Sequence, residues 1–393
     1  MRTGPGQDDS ARALRIALVA GEASGDQLGA ALITALRERA PHAEFRGVAG
    51  PRMVAAGCQP LAAAEELAVM GLAEILAHLP RLLRLRRGLE RALLEWRPDV
   101  FVGIDSPEFN LGLAARLKAQ GLATVQYVSP QVWAWRQGRV RTIARDCDLV
   151  LCLLPFEPAF YREHAVRAVY VGHPLADQIP QQVDRAAARR NLGIDARATV
   201  VALLPGSRLG EVRRLGPVFL ETVRWLRERR PGLEFVAPMA SPAAAAGFAA
   251  AATAGVRRLD GQARLALQAA DAALVASGTA TLEALLCRCP MVVAYRVAPL
   301  SALLVRALRL VRVRHFALPN LLAGEALVPE HFQGDATPAT LGAGVLRALE
   351  DESYRTRLSA RFAAIHHELR QGGAARAADA VLELLARTAG RGA

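Results

Sequence analysis

Short apolar runs alternate with longer amphipathic stretches along this chain, and the alternation occurs twice. The first half contains four runs with the length and composition of buried parallel strands: Leu14–Ala20, Val100–Ile104, Thr124–Val128 and Leu149–Leu154. The pattern restarts beyond residue 180 with three more: Val200–Leu204, Glu234–Ala237 and Ala272–Ala276. Helical patterns lie between the runs. This order predicts an α/β fold with two Rossmann-like doubly wound domains facing across a cleft.

The same pattern gives the domain boundaries. We expect one domain over residues 14–178, a second over 179–345 and a helical tract over 346–387. The segment Ile179–Arg197 carries charges and little apolar periodicity, and it is therefore predicted to be the linker between the domains.

The charge of the chain limits its partners. The 393 residues include 49 basic and 37 acidic side chains, which gives a net charge of +12. Lys118 is the only lysine, so 48 of the 49 basic residues are arginine, a bias that we attribute to GC-rich coding. A positive surface attracts polyanions, and a basic nucleic-acid-binding protein is one hypothesis. The sequence contains no recognised nucleic-acid-binding module, so we expect no nucleic acid partner.

Targeting and metal patterns are missing from the sequence. No secretory signal or membrane span is predicted, and the five cysteines are odd in number and lie mostly in apolar runs, which favours a reducing compartment. Neither the cysteines nor the histidines have metal-ligand spacing, so no metal site is predicted.

Acidic loops follow two predicted strands of the first domain. Gly21–Asp26 is rich in glycine, but Glu22 and Asp26 would repel a phosphate, so this loop suits sugar hydroxyls better; the alternative is a tight turn with Ser24 or Asp26 capping the next helix. Asp105 ends the Val100–Ile104 run and has Glu108 nearby. A carboxylate there is a candidate general base, or else the cap of the next helix.

Loops suited to phosphate follow two predicted strands of the second domain. Ser207 and Arg208 lie in a basic turn, where backbone N–H groups, a hydroxyl and a guanidinium together suit a diphosphate. The second loop, residues 277–279, opens a helix, and Glu283 lies one turn further, where it can accept both hydroxyls of a ribose. Simple helix capping by Ser277 or Thr279 is the alternative.

This asymmetry between the halves favours a transferase. The second half would hold a nucleotide diphosphate sugar and the first would supply a base. A dehydrogenase is disfavoured because no G-x-G-x-x-G follows a strand. Trp133, beside Arg136, suits stacking on a sugar or base, and the strong alternative is packing of the ring next to a solvated basic helix face.

An apolar stretch followed by arginines suits a membrane surface, with a core-facing helix as the alternative. Its candidate membrane residues are Val69, Met70, Leu72, Ile75, Leu76 and Leu79.

Taken together, the motifs resemble the lipid-A-disaccharide synthase family over residues 14–385. The matching stretches, in order, are GEASGD (21–26), GVAGPRM (47–53), MGLAEIL (70–76), GIDSPEFN (103–110), YVSPQVWAWRQGRV (127–140), LPFEPAFY (154–161), GHPLAD (172–177), LLPGSR (203–208), ASGTATLE (276–283) and LPNLLAGE (318–325).

The resemblance implies a glycosyltransferase B-type fold whose last helix crosses back to the first domain. It implies an inverting reaction that needs no metal or cofactor, in which UDP-2,3-diacylglucosamine donates its sugar to the 6-hydroxyl of 2,3-diacylglucosamine 1-phosphate. The source would be a Gram-negative bacterium, with the enzyme peripheral on the cytoplasmic face of the inner membrane and possibly a homodimer. A peptidoglycan-type UDP-GlcNAc transferase or a UDP-GlcNAc epimerase is the alternative.

The resemblance also assigns roles to residues. Asp105 is the expected base, with Glu22 as alternative or partner. The predicted donor-side residues are Ser207, Arg208, Ser277, Gly278, Thr279, Thr281, Glu283, Asn320 and Gln333. The predicted acceptor-side residues are Ser24, Asp26, Arg52, Met53, Trp133 and Arg136.

Overall fold

The computed structural model describes residues 12–67, 72–134, 137–297 and 314–390, with side chains described outside 72–78 and 389. The chain forms two compact units. One contains the residues up to Pro174 together with the chain from Gln371, and the other is Leu175–Arg370.

The first unit is built on a seven-stranded parallel sheet with the order β3-β2-β1-β4-β5-β6-β7. Its strands are β1 (Arg15–Ala20), β2 (Glu44–Ala49), β3 (Cys58–Ala63), β4 (Val100–Ile104), β5 (Ala123–Tyr127), β6 (Leu149–Cys152) and β7 (Ala168–Tyr170). Its described helices are α1 (Ala23–Arg39), α2 (Pro51–Ala55), α3 (Leu72–Trp96), α4 (Pro107–Ala119), α5 (Val140–Asp146), α6 (Glu157–Arg162) and, from the end of the chain, α16 (Gly373–Ala389).

Alternation along β1 fills the core on both faces of this sheet. Ile16 and Leu18 are buried in one apolar cluster with side chains of α1 and α16. Ala17 and Val19 are buried in the other, which includes side chains of α3 and α4. Because both faces are covered, a central strand must be apolar throughout, which is why β1 reads as a continuous apolar run.

The second unit contains a six-stranded parallel sheet with the order β10-β9-β8-β11-β12-β13. Its strands are β8 (Thr199–Leu204), β9 (Leu233–Met239), β10 (Arg257–Asp260), β11 (Ala272–Ala276), β12 (Met291–Tyr295) and β13 (Glu330–Phe332). Its described helices are α7 (Pro174–Gln178), α8 (Arg185–Leu192), α9 (Leu209–Arg229), α10 (Pro242–Gly247), α11 (Ala263–Ala269), α12 (Thr279–Leu286), α13 (Leu318–Ala323), α14 (Pro338–Glu350) and α15 (Glu352–Leu369).

Strand order reverses once in each sheet, between β1 and β4 and between β8 and β11. At such a switch point the loops leave neighbouring strands in opposite directions, and the crevice between them is the usual ligand site of a doubly wound sheet. The loops singled out in the sequence, at residues 21–26, 105–110, 205–208 and 277–279, follow these four strands.

Two predicted segment boundaries differ from the structure. The segment 179–197 contains helix α8, whose first turn is capped by Asp184 through a 2.8 Å bond from the Ala187 N–H. Arg189 is buried on this helix and pairs with Asp271 at 2.8 Å. Because the buried side chain is an arginine, the pattern of apolar residues does not indicate this helix. The tract 346–387 is divided: α14 and α15 belong to the second unit, and α16 alone to the first.

Candidate active site

The backbone at the end of β4 is held in a strained conformation. Asp105 and Ser106 both have left-handed backbone angles, with φ of 51° and 41°. The Asp105 carbonyl oxygen accepts bonds from the buried amides of Asn110, at 2.8 Å, and Gln126, at 3.1 Å. Strain of this kind persists only where neighbouring contacts fix it, and it concentrates at functional sites.

The loop after β1 lies against the same place. A β-carbon built on Gly21 would lie 2.6 Å from the Ser106 hydroxyl oxygen, so the two loops approach as closely as a glycine permits. Glu22 and Ser24, on this loop, are exposed. The structure therefore brings the Gly21–Asp26 and Asp105 loops together at the switch point of the first sheet.

The Asp105 side chain has an electrostatic setting suited to a base. Burial raises the pKa of this carboxyl, the Ser106 N–H opposes the rise, and the Glu108 carboxylate adds to it. Glu108 itself is exposed and pairs with Arg139 at 2.9 Å. A carboxylate with a raised pKa is a stronger proton acceptor, which makes Asp105 a candidate general base.

Asp26 has a structural task in this structure. Its buried carboxylate accepts the backbone N–H groups of Gly50, Arg52 and Met53 at 2.9–3.0 Å, which joins the start of α1 to the start of α2. Met53 is fully buried, whereas the Arg52 side chain is exposed. Of the two acceptor-side residues predicted in the stretch 47–53, only Arg52 therefore has a side chain that a substrate could contact.

Trp133 is anchored by a buried carboxyl group that the sequence analysis missed. Its indole Nε1–H donates to Glu157 Oε1 at 3.0 Å, and the Leu154 N–H donates to Glu157 Oε2 at 3.0 Å. Burial raises the pKa of Glu157 to about 7, although these hydrogen bonds by themselves lower it. The loop joining β5 to Trp133 begins at Val128, whose φ of 74° is rare for a β-branched residue.

In the second unit, the turn after β8 presents Ser207 and Arg208, both exposed. The Glu211 carboxylate accepts their backbone N–H groups at 3.1 and 3.3 Å. The prediction that these amides bind phosphate is wrong for this structure, because they donate to Glu211 instead. The Ser207 hydroxyl and the Arg208 guanidinium are therefore the candidate diphosphate ligands of this turn.

The loop after β11 opens helix α12. Gly278, with φ of 150°, and Thr279 are exposed at its amino end, and the Ser277 hydroxyl donates to the Phe316 carbonyl at 3.2 Å. Burial raises the pKa of Glu283, with Arg264 opposing the rise. Thr281 is fully buried and its hydroxyl donates to the Gly278 carbonyl at 2.8 Å, so it shapes the turn and presents no surface to a ligand.

Asn320, predicted on the donor side, has a structural role instead. It is fully buried; its amide nitrogen donates to the Val328 carbonyl and to Glu330, and its oxygen accepts the Val328 N–H. Glu330, another residue that the sequence analysis missed, accepts the Phe316 N–H at 2.8 Å as well. Gln333 is half-buried and donates to the Val297 carbonyl at 3.3 Å.

The structure does not describe some of the predicted residues or their side chains. Val69, Met70 and Arg136 are outside the described residues, as are the side chains of Leu72, Ile75 and Leu76. Leu79 is described and is 43% exposed. Within the described part of the chain, no helix is long and apolar enough to cross a membrane, and no three His, Cys, Asp or Glu side chains come together as metal ligands would.

Two doubly wound parallel sheets, with loops of opposite charge at their switch points, place the chain in the glycosyltransferase B-type fold class. Its fold is similar to that of a glycosyltransferase of kitacinnamycin (TM-score 0.62, 19% identity, covering 95% of this chain and 100% of that one). It is also similar to UDP-GlcNAc 2-epimerase from Neisseria meningitidis (TM-score 0.61, 12% identity, 95% and 100% covered). The chain belongs to the lipid-A-disaccharide synthase family, whose sequence profile, described as lipid-A-disaccharide synthetase, matches residues 16–383.

Individual relatives agree with this assignment. The chain is 54% identical over 378 residues to the lipid-A-disaccharide synthase of Pseudomonas aeruginosa, covering 95% of this chain and 99% of that protein. It is 53% identical over 377 residues to that of Chromohalobacter salexigens, covering 95% and 97%. The predictions of fold class and family are therefore confirmed.

Proposed function

We propose that this protein is the glycosyltransferase that forms the lipid A disaccharide. The donor would be UDP-2,3-diacylglucosamine, the acceptor 2,3-diacylglucosamine 1-phosphate, and the products UDP and the β(1→6)-linked disaccharide 1-phosphate. The observation that carries this proposal is the contrast between the two switch points: a half-buried carboxylate, Asp105, in one unit, and the exposed Arg208 at a helix start in the other. Family membership gives the substrate class.

In this mechanism Asp105 removes the proton from the acceptor 6-hydroxyl. The oxygen attacks the anomeric carbon of the donor sugar while the bond from that carbon to the diphosphate breaks, so one displacement inverts the anomeric configuration. The electron pair of the broken bond leaves on UDP, and the proton leaves on Asp105. The raised pKa of Asp105 favours this proton transfer, and Glu22, exposed on the adjacent loop, is the alternative base.

The second unit would stabilise the charge that develops on the leaving diphosphate. The Arg208 guanidinium, the Ser207 hydroxyl and the helix start at residues 277–279 are its candidate ligands. Glu283, whose pKa burial raises while Arg264 opposes the rise, would accept the ribose hydroxyls. Weaker candidates for contact with the substrates are Ser24, Arg52, Trp133 and Gln333.

Both proposed substrates carry acyl chains, so the enzyme must reach a bilayer. We place it as a peripheral protein on the cytoplasmic face of the inner membrane, bound through residues 69–79 and the arginines that follow. The described end of this segment supports the placement, because Leu79 and Arg81 are both exposed. A homodimer is compatible with the proposal but is not required by it.

The test is a product assay with the purified protein. Incubation of UDP-2,3-diacylglucosamine with diacylglucosamine 1-phosphate should give UDP and disaccharide in equal amounts. UDP-GlcNAc without acyl chains should give neither transfer nor epimer. Turnover of unacylated UDP-GlcNAc alone, with formation of its 2-epimer, would instead establish an epimerase, and transfer to an unacylated acceptor would establish a peptidoglycan-type enzyme.

A further inference from the structure

The second unit contains a cavity of about 1020 Å³ at the amino ends of its strands. Thr199, the first residue of β8, Asp271, which directly precedes β11, and Pro290, which precedes β12, all line it. The turns that carry Arg208 and Ser277 follow the carboxyl ends of β8 and β11. The cavity therefore lies at the opposite edge of the sheet from the candidate donor site, and its volume is that of a small-molecule site.

Arginine dominates the wall of this cavity. Of the eighteen lining residues six are arginines: Arg185, Arg189, Arg197, Arg230, Arg288 and Arg355. At the overall frequency of 48 arginines in 393 residues, a wall of this size would contain about two. The coding bias that enriches the whole chain in arginine therefore does not account for the wall.

Few carboxylates balance these cations. Asp271 is the lining carboxylate, and it pairs with Arg185 and Arg189, each at 2.8 Å. Glu350 pairs with Arg230 at 3.4 Å. Counted over the described residues, four more positive than negative charges remain, and the hydroxyls of Thr356 and Ser359 add hydrogen-bond donors to the wall.

Arg288 is the least satisfied cation of this wall. Its Nη1 atom is buried and has no hydrogen-bond partner among the described residues, and its Nη2 donates only weakly, to the Gln181 carbonyl at 3.4 Å. Its backbone has a left-handed φ of 57°, which costs energy for a residue with a side chain. A guanidinium that loses water without gaining an anion is unfavourable, and a bound anion would remove that cost.

We propose that this cavity binds a phosphorylated anion carrying several negative charges, at a site separate from the donor site. A planar guanidinium group can donate two parallel hydrogen bonds to two oxygens of one phosphate. Hydroxyl groups can donate hydrogen bonds to the phosphate oxygens that no guanidinium reaches. The anion can come from two sources, a soluble polyphosphorylated molecule or the headgroups of an anionic lipid, and the chemistry of recognition is the same for both.

Arginines without ion-pair partners among the described residues give the sharpest test. The cavity variant carries Arg197→Gln and Arg355→Gln. The matched control carries Arg224→Gln and Arg357→Gln, which removes the same charge from two exposed positions of the same unit that do not line the cavity. Both are made with Arg208→Ala in place, so that the candidate donor turn contributes little to anion binding.

The first measurement is calorimetric titration with inorganic tripolyphosphate at fixed ionic strength. The control should bind within twofold of the parent with one site per chain, and the cavity variant at least tenfold more weakly. The second is flotation with phosphatidylglycerol vesicles, in which a selective loss for the cavity variant assigns the site to lipid headgroups. Melting temperatures verify folding, and Arg197→Gln alone, at an exposed residue, replaces the double variant if that variant unfolds.

A selective loss in either measurement supports the proposal and identifies the source of the anion. Equal behaviour of the cavity and control variants in both measurements would overturn it, since the cavity would then be a cationic hollow without a ligand.

Discussion

The side-chain amide of Asn110 holds the main-chain carbonyl of Asp105 at 2.8 Å. The same Asn110 nitrogen lies 3.3 Å from the Val19 carbonyl, so one buried side chain joins the ends of β1 and β4 where the strand order reverses. The candidate base thus lies on a backbone that is fixed from both neighbouring strands. Such support is what a site needs if a carboxylate is to meet a substrate hydroxyl in one orientation.

Asp105→Asn should reduce turnover by roughly 10²–10⁴ with little change in UDP affinity, because it removes the base and keeps the shape. Since burial raises the pKa of Asp105, kcat/KM of the parent should fall as the pH drops through a value above the ordinary 3.8. Steady-state assays across pH measure both effects. Glu108→Gln, at the exposed neighbouring carboxylate, is the control; near-normal turnover of Asp105→Asn would shift the role to Glu22.

Arg208→Ala should weaken UDP binding and slow turnover together. A lost charge-assisted hydrogen bond costs about 1.5–3 kcal/mol, which corresponds to roughly 10- to 150-fold in the dissociation constant. Calorimetry with UDP gives the binding effect, and Arg224→Ala, at an exposed position further along α9, should have none. Unchanged UDP affinity would remove Arg208 from the donor site.

Excess EDTA should leave the activity intact. The proposed ligands of the diphosphate are a guanidinium, a hydroxyl and a helix start, and no DxD-type carboxylate pair lies beside the two phosphate loops. The assay compares rates with EDTA and after addition of Mg²⁺ or Mn²⁺. Activity that EDTA abolishes and a divalent cation restores would contradict this part of the mechanism.

Leu79→Ser should weaken binding to anionic vesicles without lowering the melting temperature. Leu79 is 43% exposed, so its removal costs little packing, whereas each methylene inserted in a bilayer contributes about 0.8 kcal/mol. Val54→Ser, at an equally exposed side chain of α2, is the control in vesicle flotation. Serine at Val69, Leu72, Ile75 and Leu76 as well should release more protein; a drop in melting temperature without release would place these residues in the core.

Glu157 should make stability depend on pH. Burial raises its pKa from 4.5 to about 7, so the folded protein keeps a proton that the unfolded chain loses in that interval. Stability should therefore fall as the pH rises from about 4.5 to 7 and then level off, by roughly 3 kcal/mol in total. Melting curves of Glu157→Gln should lack this fall, and those of Glu163→Gln, an exposed neighbour, should retain it. If the stability of the parent and of Glu157→Gln changed with pH in the same way, Glu157 would not be a neutral buried carboxyl group.

The sequence predicted strands such as β1 and β4 because burial on both faces makes them apolar throughout. It did not predict β2 and β3, whose outer positions carry Glu44 and Gln59. The site loops could be found because each follows a strand. The partners of their side chains could not, since Asp26 caps a helix 24 residues away and Trp133 meets a glutamate 24 residues away. Contacts of this range depend on the fold, which local patterns do not encode.

The return of α16 to the first unit has a consequence for biosynthesis. Five of its side chains belong to the core of the first sheet: Ala377, Ala378, Ala380, Val381 and Leu384. The roughly 200 residues between Pro174 and Gly373 take on the order of 10–40 s to translate at about 5–20 residues per second. During that time the nascent first sheet has an uncovered apolar face, while the second unit, continuous in sequence, can complete its own core. The domain that is synthesised first is therefore finished last, and a ribosome that stalls before α16 leaves it open.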